Sequence, residues 1–157
     1  MLTDNPFNIK GANWFFREVY PRLNPQVQLL VVGKITKHVE KHANVTCIPF
    51  APQLDEIYNQ AKISICPLLG GTGIKIKVIE SLSFEVPVVT TGKGVVGLPA
   101  KSGNGCLVAD KADDFAQRIH ELLTDKNLYQ QQRESANKFF LENFEESKVY
   151  SVLDEIF

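Results

Sequence analysis

A chain of 157 residues with 44% apolar content can bury one sizeable core and is too short for two ordinary domains. Its 17 basic and 18 acidic residues create no net field that would draw nucleic acid or a membrane surface non-specifically, so charge-based binding is local. The opening MLTDNPFNIKG lacks a basic-then-apolar signal pattern, and no apolar run approaches the ~18 residues that cross a bilayer, which predicts a cytoplasmic domain without a transmembrane segment.

Helical and strand-like runs alternate. A helix is predicted over residues 11–23, followed by the apolar run VQLLVVG at 27–33, which suits a strand buried on both faces. A short polar helix is expected around His38, a strand at 45–50, a helix at 54–61 and a strand at 63–68. The glycine-bearing loop 69–73 leads into a helix at 74–83, then the strand PVVTT at 87–91, a second glycine-rich loop at 92–97 and the strand GCLVAD at 105–110. Residues 111–157 read as two or three amphipathic helices with Leu122, Leu123, Phe139, Phe140 and Leu153 among the apolar positions. The pattern predicts an α/β fold with a doubly wound parallel sheet. Such sheets bind ligands at the carboxyl ends of their strands, where the loop at 69–73 lies. The three cysteines, Cys47, Cys66 and Cys106, fall inside apolar runs and are expected as buried free thiols.

LLGGTGIKIKVIESL, residues 68–82, carries the most chemistry. Glycines permit positive φ and close backbone approach, and the free amides of a helix start favour an anion. Lys75 and Lys77 oppose the helix dipole there, a conflict that a bound diphosphate removes. On a helical wheel Ile74, Val78 and Leu82 share the buried face, while Lys77 and Glu80 share the polar one. Glu80 is placed to accept hydrogen bonds from ribose hydroxyls. The competing reading is a surface Lys77–Glu80 pair and glycines that only make a tight turn. The spacing fits neither a P-loop nor the dinucleotide fingerprint, whose third glycine would fall at Ile76.

The run GTGIKIKVIESLSFEVPVVTT, residues 71–91, resembles the donor-binding segment of the glycosyl transferases group 1 family, retaining enzymes built of two Rossmann domains in the GT-B architecture. NIKGANWFFREVYPRL, VTCIPFAPQLDEIYNQAKISICPL and GCLVADKADDFAQRIHELLTD are similar to the flanking segments in order and spacing, so the resemblance covers nearly the whole chain. It implies a Rossmann-like C-terminal half with extra C-terminal helices. By the same resemblance Gly71, Thr72, Gly73 and Ile74 bind the donor diphosphate, Lys75 and Lys77 lie within that motif, and Glu80 binds the ribose. Lys10, in the place of a lysine preceding the first helix, helps hold phosphate. The implied donor is a nucleoside diphosphate sugar, the acceptor a glycan or lipid-linked glycan, and the common setting bacterial polysaccharide assembly, with no metal or other cofactor. The resemblance places the acceptor site on an N-terminal domain expected to be absent from this chain, so the isolated domain is expected not to complete transfer.

Three departures limit the inheritance. The first of two family glutamates is replaced by Thr72, so donor-sugar contacts do not carry over; an arginine usual shortly before Lys10 is absent; and by the same resemblance the first strand of the domain is expected to be mostly missing. A non-catalytic nucleotide-binding or partner-docking module is the alternative, and a related sugar-nucleotide epimerase is less well matched. His38 and His42 stand four residues apart, but without a third ligand the default is a solvated helix face. Trp14, Phe15 and Phe16 read as packing residues and His120 as structural; no nucleophile triad or catalytic carboxylate pair is evident, and the catalytic group is unassigned.

Overall fold

The computed structural model describes residues 3–145, so the apolar position at Leu153 lies outside the described residues. Helix α1 spans Pro6–Trp14 and begins five residues earlier than the periodicity predicts. Asn5 caps it by accepting a hydrogen bond from the Asn8 amide (2.9 Å), and Pro6 occupies the first turn, where its missing N–H costs nothing. Lys10 therefore lies within the first helix rather than before it. The chain continues through a π-helical turn, Phe15–Val19, and a 3-10 turn, Tyr20–Arg22.

Strands β1 (Leu29–Val32) and β2 (Val45–Ile48) pair in parallel, and strands β3 (Ser64–Cys66), β4 (Val88–Thr90) and β5 (Cys106–Val108) form a second parallel sheet in the order β3-β4-β5. The strands thus divide between two hydrogen-bonded ladders rather than one. Between them run a 3-10 turn at Lys34–His38, helix α2 (Leu54–Gln60) and helix α3 (Ile76–Ser83). Helices α4 (Ala112–Thr124) and α5 (Lys126–Asn143) follow, the latter capped by Asp125, whose carboxylate accepts from the amides of Asn127 and Leu128. None of the described helices is long and apolar enough to cross a membrane.

The double winding shows at β4, all of whose residues are buried. Successive strand side chains point to opposite faces. Val88 accordingly packs with Val78 and Leu82 of α3 and Phe139 of α5, whereas Val89 packs with Phe15, Val19 and, from α4, Phe115, Ile119 and Leu122. Trp14 meets Phe115 edge to face at 5.5 Å, and Phe15 is buried, which makes this aromatic run a packing element. By contrast, β1 is not covered on both faces: Leu30 remains 36% exposed, because a continuous apolar run does not reveal how many layers will pack on it.

His38 and His42 share no helix. The 3-10 turn ends at His38, and His42 lies beyond it with its ring stacked on Phe16 at 5.7 Å. Among the described residues no group of three or more His, Cys, Asp or Glu side chains could hold a metal ion.

Cys66 and Cys106 are buried free thiols, but Cys47 is exposed. Burial pushes both buried thiols up, Cys106 to about 12, so neither supplies thiolate near neutral pH. A thiol-exchange reagent at pH 8 is expected to react rapidly with Cys47 alone, and with Cys66 and Cys106 only at the rate of unfolding. Rapid modification of all three would contradict this packing.

Candidate functional site

The loop from β3 to α3 is held from three sides. From β4, Thr90 Oγ1 donates to the Cys66 carbonyl at 2.9 Å and Thr91 Oγ1 donates to the Leu68 carbonyl, which fixes the strand end from which the loop departs. From α1, Gly11 packs so closely that a Cβ there would stand 2.5 Å from the Pro67 oxygen, and the Phe7 ring lies against Gly70. From the second glycine loop, Gly97 approaches until a Cβ would be 3.2 Å from the Ile74 nitrogen. The two glycine loops therefore touch, each at the carboxyl end of a neighbouring strand.

Within the loop, Gly71 (φ +100°) and Gly73 (φ +72°) adopt backbone conformations that a side chain would strain. Helix α3 starts at Ile76, not Ile74. Its first turn forms when the Val78 amide donates to the Lys75 carbonyl at 2.9 Å, leaving the Ile76 and Lys77 amides without intrahelical acceptors. Ile74 is outside the helix and 48% exposed, so it does not share the buried face of Val78 and Leu82. Local hydrophobic spacing cannot register that Gly97 and the loop turn hold the chain extended through Lys75.

The two lysines do different work. Lys75 Nζ folds back to donate to the carbonyls of Thr72 (2.9 Å) and Gly73 (2.8 Å), so its charge sits on the loop's own oxygens and its conflict with the helix dipole is softened. Lys77 points instead to α1, making a long 3.5 Å contact with Oδ1 of buried Asn8, whose amide group donates to the Thr3 carbonyl and hydroxyl. Burial lowers the affinity of Lys77 for its proton, partly offset by the Glu80 charge. Lys77 and Glu80 form no ion pair within 4.0 Å, so the surface-pair alternative is not what this helix uses.

Glu80 lies half-buried on α3 and accepts a hydrogen bond from the Tyr58 hydroxyl at 3.2 Å. The Tyr58 ring stacks on Phe84 at 5.0 Å with 14° between planes. Lys10 is exposed on α1, and its ammonium makes no hydrogen bond or ion pair with the described residues.

The structure therefore brings Gly71, Thr72, Gly73, Ile74 and Lys75 into one loop, with Lys77 and Glu80 on the helix it feeds. The neighbours Phe7, Asn8 and Tyr58 were not singled out from sequence. For Phe7 and Asn8 a signal existed in the Asn5-Pro6 pair, a helix-start signature that places both in the first turns of α1. Two shallow depressions, about 380 Å³ beside Asp110 and Arg118 and about 400 Å³ beside Ala100 and Lys138, lie away from the glycine loop. The loop is an open shelf on which Thr72, Gly73, Ile74 and Ile76 are exposed.

Parallel strands with helices on both faces, and a glycine loop entering a helix at the strands' carboxyl ends, define an α/β domain of the Rossmann-like class. Residues 2–125 match the glycosyl transferases group 1 family, and the chain belongs to that family. It is also similar to an "Uncharacterized 44.6 kDa protein in cps region" of Klebsiella pneumoniae, with 26% identity over 161 residues. That alignment covers 93% of this chain and 42% of the relative, so the chain spans less than half the length of the relative it matches.

Proposed function

We propose that this chain binds the nucleoside diphosphate sugar donor of a retaining glycosyltransferase, acting in the cytoplasm within a longer enzyme whose other domain presents a glycan or lipid-linked glycan acceptor. The observation that carries the reading is the joining of a helix start with free amides, suited to an anion, to a carboxylate further along the same helix. The amides of Ile76 and Lys77, with the loop of Gly71, Thr72 and Gly73 and the charge of Lys75, face negative charge on a diphosphate. Glu80 stands four residues beyond Ile76, about 6 Å along the helix axis, within reach of the ribose hydroxyls of the same nucleotide. Lys10, exposed on α1, adds positive charge to that end of the molecule.

As the bond from sugar to diphosphate breaks, negative charge grows on the leaving phosphate oxygens. Oriented amides and lysines stabilise that charge without needing a metal. The open shelf requires a second wall to exclude water and to bring the acceptor to the anomeric carbon. Family membership supports sugar transfer, and the similar protein's designation from a cps region supports a role in polysaccharide assembly.

Calorimetric titration with UDP and GDP at modest ionic strength tests the reading. Saturable binding that prefers one base and weakens as salt rises is expected, since exposed charges are screened beyond about 10 Å at 0.1 M salt. A well-folded sample that binds neither nucleotide would remove the donor site from this chain.

A further inference from the structure

We propose that Tyr58 is a positioning residue for the donor ribose, holding the Glu80 carboxylate in the orientation that accepts the ribose hydroxyls. The inference rests on the donor-site reading above. It starts from a hydrogen bond between α2 and α3 whose partners are far apart in sequence: the Tyr58 hydroxyl donates to Glu80 Oε2 at 3.2 Å. The tyrosine is itself held on its ring face, stacked 5.0 Å from Phe84, one residue past the end of α3. A glutamate side chain on a helix surface otherwise samples several rotamers, and fixing one before the ligand arrives lowers the ordering cost of binding. With Oε2 engaged, Oε1 and the remaining lone pair of Oε2 stay available to hydroxyl donors.

The bond requires a protonated phenol. Burial, with the Glu80 charge adding to it, pushes the Tyr58 phenol up to about 12, so it remains a donor throughout the range in which a nucleotide carries its diphosphate charge. The nearby Ser81 hydroxyl does not take over this task, because it donates to the Lys77 carbonyl at 2.8 Å. The only side-chain hydrogen bond that Glu80 makes among the described residues is the one from Tyr58.

The test titrates the full 157-residue chain with UDP, GDP and the 2′,3′-dideoxy counterpart of whichever binds more tightly. Wild type, Tyr58→Phe, Glu80→Ala and the double variant are compared. Phenylalanine keeps the ring stack and removes only the hydroxyl. The expected result is an affinity loss of about 5- to 10-fold for the ribonucleotide in Tyr58→Phe, the size of one lost anchoring hydrogen bond. Dideoxynucleotide affinity is unchanged, and the tyrosine substitution adds no loss once Glu80 is alanine. Equal weakening of both nucleotides would make Tyr58 a mere cross-tie between helices and overturn the inference, as would unchanged ribonucleotide affinity. In either case a loss in Glu80→Ala leaves the donor site standing, whereas a wild-type chain that binds neither UDP nor GDP removes both. Should Tyr58→Phe fold poorly, the wild-type Tyr58 Cζ resonance decides: it is expected to shift with the ribonucleotide and not with the dideoxynucleotide, and equal response to both overturns the proposal.

Discussion

Substituting Gly105 by alanine is expected to lower the unfolding free energy by about 2–5 kcal/mol, as the sum of two separate costs. Gly105 precedes β5 with φ +80°, where a Cβ is strained by about 1–2 kcal/mol. That Cβ would also stand 2.5 Å from Ala136 Cβ, 2.7 Å from its Cα and 2.9 Å from its nitrogen, so the backbone of α5 must retreat. Forcing atoms into a packed interface costs about 1–3 kcal/mol more. Against a typical total of about 5–15 kcal/mol, such a loss is large and would lower the melting midpoint on the order of 10 °C. Gly103 is the internal control, with φ +66° and nothing within 4 Å of a built Cβ, so alanine there should show the backbone cost alone. Chemical denaturation of the two variants measures the difference. Equal losses would mean that α5 yields freely and that its seat against β5 is loose.

Glu80→Ala is expected to weaken nucleoside diphosphate binding by about 10- to 100-fold while leaving the fold intact. Hydrogen bonds to a charged acceptor contribute about 1.5–3 kcal/mol, and about 1.4 kcal/mol corresponds to a factor of ten in affinity. Glu80 is half-buried at the helix surface and makes no ion pair within 4.0 Å, so its removal opens no hole in the core; what is lost is the acceptor of the Tyr58 hydroxyl and part of the charge that offsets the burial of Lys77. Calorimetry with UDP and GDP reads the affinity and thermal melting reads the fold. If the alanine variant binds as tightly as wild type, Glu80 does not touch the donor and the ribose assignment is wrong.

The strands were legible because they are short apolar runs, most of them carrying β-branched residues, ended by glycine as at Gly33 or by proline as at Pro49 and Pro67, and the family was legible in the order of those runs. What sequence could not show was set by contacts across the fold. The start of α3 was placed two residues early because Ile74 continues the apolar spacing of Val78 and Leu82, while the turn around Gly73 and the approach of Gly97 keep it outside the helix. Cys47 sits in a strand-like run yet is exposed, since an apolar neighbourhood in sequence does not specify a covering layer. Lys75 and Lys77 looked equivalent as charges near a helix start. Their partners separate them: Lys75 binds carbonyls two and three residues back, whereas Lys77 reaches Asn8, 69 residues away. Tyr58 carried no local signal, since its meaning comes from a glutamate 22 residues on.

The π turn at Phe15–Val19 sets a phase relation that constrains chain length in this segment. Upstream of it, Gly11 and Phe7 seat α1 on the loop at 67–71; downstream, Val19 anchors the chain in the core with Phe115. Each residue of an α-helix turns its neighbours by about 100°, so one insertion or deletion between Gly11 and Val19 would rotate one seat away from its partner. The wider winding of the π turn absorbs one extra residue while keeping both seats aligned. Substitutions can accumulate along this helix face by face, but its length cannot drift by a single residue.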